Sequence, residues 1–284
     1  MLYDFLKWRV GAPIVRHVLR PQVVGLDLIP TESAALIVGN HISAGDTYPV
    51  AILTRRRIFF PGKRALFTAK NPKGRLLAAL LKFAGHVPID PQGGTSSHSS
   101  LHKLVELLQQ GELVGIFPEG TRSPDGRMYR FHTGVARMAL AAGVPVIPMA
   151  CVNTYLRRGF LGLPTLRDAQ FTLGEPLDFS DWHGRDDDPA ALRWVADEIA
   201  AVLCSMTGQE YVEVYASRVK SGELTIEQAN AMVRDRPGAG NERPPTNAEI
   251  DGAGDVNERP PTNAEIDGAG DVNERPLTNA ELAQ

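Results

Sequence analysis

The sequence predicts an α/β fold, a single domain built on a largely parallel, mixed sheet with helices covering both faces. Two observations predict it. Between residues 34 and 179, apolar runs of strand length alternate with segments of helical periodicity, which is the order that crossover helices impose on parallel strands. Two polar, glycine-bearing stretches, NHISAGD at 40–46 and FPEGTRS at 117–123, follow directly on two of those runs. In such sheets, sites lie beyond the carboxyl ends of the strands.

The chain opens with apolar Leu2, Phe5, Leu6 and Val10, then Ile14, Val15, Val18 and Leu19, in stripes at helical spacing. Gly11 and Pro13 stand between them, which predicts two short helices. Lys7, Arg9, Arg16 and Arg20 lie among the apolar positions. Residues 1–20 therefore read as an amphipathic two-helix foot in a membrane interface, or as a lid on the core.

AALIVGN (34–40) reads as a buried strand, Thr47 to Arg55 as a short helix and RIFFPG (57–62) as a second strand. Arg75 to Ala84 is a helix stopped by Gly85 and followed by the strand HVPI; TSSHSSLHKLVELLQQG is a helix with Ser and Thr caps and a closing Gly111. LVGIFP (113–118), VPVIPMACV and AQFTLGEPLDF (169–179) read as strands, and TGVARMALAAG as a helix. The uncharged run from Met138 to Leu156 has 19 residues, but Gly143, Pro145, Pro148 and Asn153 break it, so it predicts a helix end and a buried strand rather than a membrane span. A helix near Ala190 to Met206 and a short one in GELTIEQANAMV carry no visible chemistry. These elements are assigned to one domain spanning residues 21–236.

From residue 237 to residue 284 the composition changes. GAGDVNERPPTNAEID at 252–267 is flanked by near copies of itself, rich in glycine, proline and charge. With almost no apolar surface to bury, it reads as a disordered acidic repeat tail whose partner is unknown. From Gly238 to Gln284 the net charge is −7, so residues 1–237 carry +4 within an overall charge of −3. A mildly basic body suits an anionic surface or an anionic substrate and is too weakly basic for nucleic acid. Two cysteines, Cys151 and Cys204, exclude a disulfide framework and point to a reducing compartment; no signal peptide is visible.

His41 and Asp46 are five residues apart, a rotation of roughly 500° on a helix, about 140° out of alignment. They meet only if His41 sits in a turn, for which Gly45 supplies backbone freedom. Together they make a general base and the carboxylate that orients it. There is no G-x-S-x-G, and both cysteines stand in apolar runs, so the proton source is a hydroxyl on the substrate. Glu119, Gly120, Thr121 and Arg122 form the second polar loop, where an arginine fork suits a phosphate and a carboxylate suits hydroxyls. His98 and His102 are four apart without a third ligand, so no metal site is expected.

NHISAGD fits the N-H-x4-D motif, and FPEGTRS the F-P-E-G-T-R-S motif, of the glycerolipid acyltransferases typified by 1-acyl-glycerol-3-phosphate acyltransferase. VPVIPMA (144–150) and GEPL (174–177) resemble later blocks of that family, and GKRALFTAKNPKGRLLAALLKFAGHVPIDP its second block. The resemblance covers about residues 1–180. It implies transfer of a fatty acyl group from acyl-CoA or acyl carrier protein, as co-substrate, to the hydroxyl of 1-acyl-glycerol 3-phosphate, with no other cofactor. It further implies His41 as base, Asp46 as its orienter, and Glu119, Gly120, Arg122 and Lys63 on the glycerol phosphate. Its implied location is the cytoplasmic face of the cell membrane, peripheral or monotopic, against anionic lipid. One departure bears on the acceptor: Pro91 stands where the family's second block commonly ends in an arginine. Arg122, Lys63 and Lys70 or Lys73 are the cations left for the phosphate. Other hydroxyl acceptors, such as glycerol 3-phosphate, another lysophospholipid or a glycolipid, are the alternative, followed by an inactive lipid-binding scaffold.

Overall fold

A computed structural model describes residues 2–69, 71–89, 95–159 and 164–255 of the chain. Lys70 and Pro91 lie outside the described residues. In chain order the elements are α1 (Leu2–Leu6), β1 (Gln22–Val24), β2 (Ala35–Gly39), α2 (Tyr48–Leu53), β3 (Ile58–Lys63), α3 (Pro72–Phe83), β4 (His86–Ile89), α4 (Thr95–Gln109), β5 (Leu113–Ile116) and β6 (Met128–Tyr129). They continue with α5 (Gly134–Ala142), β7 (Val146–Val152), β8 (Arg157–Arg158), β9 (Pro164–Thr165), β10 (Gln170–Leu173), α6 (Pro189–Thr207), β11 (Tyr211–Val212), α7 (Ala216–Lys220), α8 (Ile226–Asn230), β12 (Val233–Arg234) and α9 (Asn247–Asp255).

The expected α/β architecture is present. Seven of the described strands form one sheet in the order β1-β10-β7-β2-β5-β3-β4. From β7 to β4 all neighbours run parallel, with Leu36 opposite Val114 on one side and Val146 on the other. β10 is antiparallel to β7 and makes the sheet mixed. Successive side chains of β2 alternate between faces. Leu36 and Val38 join a core made with α4, α5 and α6, through Leu104, Met138, Val195 and Ile199. Ala35 and Ile37 join Val50 of α2, Ile58, Phe60 and Phe171 on the other face. With no exposed surface on Leu36 or Ile37, each stabilises the fold by about 2 kcal/mol.

The N-terminal segment differs from the two helices expected. Residues 2–19 are one continuous helical run, with wide π-type turns at Lys7–Gly11 and Ile14–Leu19. In an α-helix Pro13 would press its ring on the carbonyl four residues back; the wider turn relieves that clash and lets the run continue. The run docks by a narrow stripe. Ala12 and Val15 are buried, and the ammonium of buried Lys7 donates to the Arg56 carbonyl at 2.9 Å. Burial pushes that ammonium down to about 8. The wider apolar side, with Leu2, Phe5, Val10, Ile14 and Val18, is exposed.

A smaller sheet in the order β12-β11-β6 was not foreseen in the sequence. With α7 and α8 it encloses a satellite core of Tyr129, Val212, Val214, Ala216 and Ala229. Thr225 and Gln228 close a capping box on α8, and Leu224 donates back to the Arg218 carbonyl at 3.1 Å.

The tail boundary also needs correction. Residues 237–246, assigned above to a disordered tail, belong to the same compact unit as the sheet, which extends to Thr246. Trp182 Nε1 donates to the Pro244 carbonyl at 3.2 Å, and Asn241 Nδ2 to Asp197 at 3.0 Å. Composition missed these contacts because their partners lie on and just before α6, distant in sequence. The second unit begins at Asn247 with the helix α9, built from the end of the first repeat copy and the first four residues of the second. Residues 256–284, with the later copies, lie outside the described residues.

Candidate active site

The site forms where four parallel strands end together. His41 follows β2, the loop bearing Glu119 follows β5, Thr154 follows β7 and Lys63 is the last residue of β3. Asn40, fully buried, ties two of these ends: it accepts from the Cys151 amide at 2.7 Å and donates to the Cys151 carbonyl at 2.9 Å. Its amide also reaches Gln209, beyond α6, at 2.8 Å.

The turn expected between His41 and Asp46 is present, and it brings His41 Nδ1 to 2.7 Å from Asp46 Oδ2. The same oxygen accepts from the backbone of Ile42 at 2.8 Å and Ser43 at 2.9 Å. Its partner Oδ1 accepts from the Thr154 hydroxyl. Donors thus surround a carboxylate with no exposed surface, and a carboxylate so placed accepts only. The proton on His41 therefore sits on Nδ1, and Nε2 presents its lone pair. The imidazole is 21% exposed and stacks on Phe117 at 4.4 Å between ring centroids.

Gly45 serves this turn by its lack of a side chain, because a Cβ there would lie 2.5 Å from the Thr154 carbonyl. Ser43 completes the closure: its hydroxyl donates to that carbonyl and accepts from the Gly45 amide at 2.8 Å. Asn153, at φ 54°, turns the chain after β7 so that Thr154 faces Asp46. Asparagine tolerates that left-handed conformation better than most residues.

The second loop lies against the first. Ser123 N–H donates to the His41 carbonyl at 2.6 Å, and His41 N–H donates to Glu119 Oε1 at 2.9 Å. Glu119 Oε2 accepts from the Tyr129 amide at 3.3 Å. The carboxyl has no exposed surface, and burial pushes it up to about 8. Both Glu119 oxygens are thus turned to backbone amides, one of them that of His41. Gly120, at φ 72°, takes a left-handed turn; a Cβ there would also meet the His132 ring at 3.1 Å. Thr121 accepts from the Lys220 ammonium at 3.1 Å. Arg122 and Lys63 are both exposed.

Neither cysteine is available as a nucleophile. Burial and the neighbouring carboxylates hold the Cys151 thiol well above its ordinary value, and burial pushes Cys204 up to about 12. Thr154, Ser43, Gln209 and Lys220 were missed in the sequence. Of these, only Thr154 left a signal, as a hydroxyl next to an asparagine at a strand end.

The site thus presents a histidine held on a buried carboxylate, at the carboxyl ends of parallel strands. Residues 20–152 match the family described as Acyltransferase. The resemblance seen in the two motifs is thereby upheld. Among curated proteins, a Haemophilus influenzae 1-acyl-sn-glycerol-3-phosphate acyltransferase is 28% identical over 124 residues, covering 43% of this chain and 50% of that protein. The chloroplastic LPAT1 1-acyl-sn-glycerol-3-phosphate acyltransferase of Arabidopsis thaliana is 32% identical over 133 residues, 46% of this chain and 36% of its own. The chain spans about half the length of the curated relatives it matches. The crystal structure of the 1-acyl-sn-glycerophosphate (LPA) acyltransferase PlsC from Thermotoga maritima aligns with a TM-score of 0.47 at 23% identity, over 70% of this chain and 75% of that one.

Proposed function

We propose that this protein transfers a fatty acyl group from an acyl thioester, acyl-CoA or acyl carrier protein, to the free hydroxyl of 1-acyl-glycerol 3-phosphate, giving phosphatidic acid. The observation that carries the reading is the 2.7 Å contact between His41 Nδ1 and Asp46 Oδ2, which leaves Nε2 as the base at the strand ends. Nε2 takes the proton of the acceptor hydroxyl as its oxygen attacks the thioester carbonyl. A carbon–oxygen bond forms, the carbon–sulfur bond breaks, and the thiolate leaves with the proton that Nε2 returns. Asp46 stabilises the imidazolium between these two transfers. Arg122 and Lys63 supply positive charge for the acceptor phosphate.

The reaction joins lipid to lipid, and the N-terminal run offers a surface for it. Leu2 and Phe5 are 65% and 57% exposed, with Arg9 and Arg16 exposed beside them, the composition of a helix lying in an anionic interface. Among the described residues no helix is long and apolar enough to cross a membrane. We place the protein peripherally, or monotopically, on the cytoplasmic face of the cell membrane.

Pro91 favours a second reading, in which the acceptor is glycerol 3-phosphate, another lysophospholipid or a glycolipid. Purified protein given one acyl-CoA and a panel of these acceptors separates the two. Turnover highest with 1-acyl-glycerol 3-phosphate supports the first reading; turnover confined to another hydroxyl replaces it with the second. Absence of transfer from any donor, with liposome binding retained, would leave a lipid-binding scaffold.

A further inference from the structure

The segment that follows α6 delivers a cation to the second motif loop. Lys220 is the last residue of α7, and its ammonium donates to Thr121 Oγ1 at 3.1 Å, across 99 positions of sequence. The placement is built rather than incidental. β11 pairs with β6 immediately downstream of the FPEGTRS loop, with Val212 opposite Tyr129. Ala216 of α7 is buried in the satellite core, and Arg218 grips Glu223 at 2.7 Å to close the turn after the helix. This segment lies beyond residue 152, where the family match ends.

Lys220 shares its surroundings with two further cations. Partial burial, then the charge of Arg122, then that of Lys63, hold its ammonium below the ordinary lysine value. Among the described residues, no carboxylate forms an ion pair with Lys220, Arg122 or Lys63. The one nearby carboxyl acting in the other direction is Glu119, whose oxygens face backbone amides. An ammonium carries three donors, and Thr121 occupies one. Three cations gathered without a counter-charge repel one another unless an anion sits among them.

We propose that Lys220 completes, with Arg122 and Lys63, the subsite for the acceptor's phosphate. The assignment rests on the reading of the acceptor as a phosphate-bearing glycerolipid. It also supplies a cation in place of the arginine that Pro91 replaces in the second block. Lys220 binds the phosphate and takes no part in proton transfer.

The test is direct binding of glycerol 3-phosphate to the purified full chain by isothermal titration, comparing wild type, Lys220→Gln, Lys220→Arg and Lys103→Gln. Losing one charge-assisted hydrogen bond predicts that Lys220→Gln weakens binding about tenfold. Lys220→Arg keeps the charge and is expected within about threefold of wild type. Lys103→Gln removes the same charge from the exposed face of α4 and is expected to bind as wild type does. The proposal is overturned if wild type fails to bind glycerol 3-phosphate, if Lys220→Gln binds like wild type, or if Lys103→Gln weakens binding equally, which would indicate a diffuse field. Binding that depends on Lys220 without acyl transfer to any phosphate acceptor leaves the subsite standing and removes the proposed activity.

Discussion

Thr154 donates its hydroxyl to Oδ1 of Asp46, while His41 holds Oδ2 of the same carboxylate. The threonine thus fixes the carboxylate that holds the His41 imidazole. Thr154→Val keeps the shape and removes the donor, leaving one oxygen of a buried carboxylate short of a partner. A hydrogen bond to a charged group is worth about 1.5–3 kcal/mol. The expected result is a fall in kcat of about tenfold, with a lowered Tm, and recovery in Thr154→Ser. Equal kcat in all three proteins would show that Asp46 needs no help from β7.

Glu119 predicts a pH dependence of stability. Its carboxyl is pushed from an ordinary 4.5 to about 8 by burial, so between these values the folded protein keeps a proton that the unfolded chain has released. Stability from this group is therefore full at low pH and declines as pH rises from about 4.5 towards 8. Glu119→Gln cannot titrate and turns an amide donor towards one of two backbone N–H groups, at a cost of about 1 kcal/mol at pH 5. Thermal unfolding of both proteins across pH 5 to 8 should show the wild type losing its advantage as pH rises. Parallel profiles would contradict the assignment of the buried proton.

The exposed apolar side of the N-terminal run predicts membrane binding. Phe5 and Trp8 are accessible, and sinking each ring into an interface contributes on the order of 1–2 kcal/mol. Replacing both by serine should reduce flotation with phosphatidylglycerol vesicles at least tenfold while leaving Tm unchanged. Undiminished flotation would move the contact to another surface.

How much of this was legible in the sequence follows the distance between partners. His41 and Asp46 are five residues apart, and one turn suffices to join them; the alternation of strands and helices is likewise a local pattern. Thr154 reaches Asp46 across 108 positions, and Gln209 reaches Asn40 across 169. No local pattern encodes those encounters, because the order of strands in the sheet creates them. The burial of Glu119 was hidden for a related reason. A glutamate beside glycine and arginine looks solvated, and only the packing of its loop against the His41 backbone shows that it is buried. The helical break expected at Gly11 and Pro13 failed because wide turns accommodate the proline, and the tail was started ten residues early because Trp182 and Asp197, its anchors, are remote in sequence.

The second motif loop shows the same limit from the ligand side. Arg122 and Lys63 were legible as candidate phosphate cations, each within a recognisable block. Lys220 belongs to a segment that carried no visible chemistry, and it enters only through the pairing of β11 with β6.

The central claim is that His41 is the general base, and the most direct measurement is release of free thiol from an acyl-CoA in the presence of 1-acyl-glycerol 3-phosphate. His41 lies in a partly exposed turn, so His41→Ala should unfold close to the wild-type Tm. The account predicts steady thiol release by the wild type and a loss of about 10²–10⁴-fold in His41→Ala. Thiol release by a folded His41→Ala protein within a few fold of wild type would contradict it.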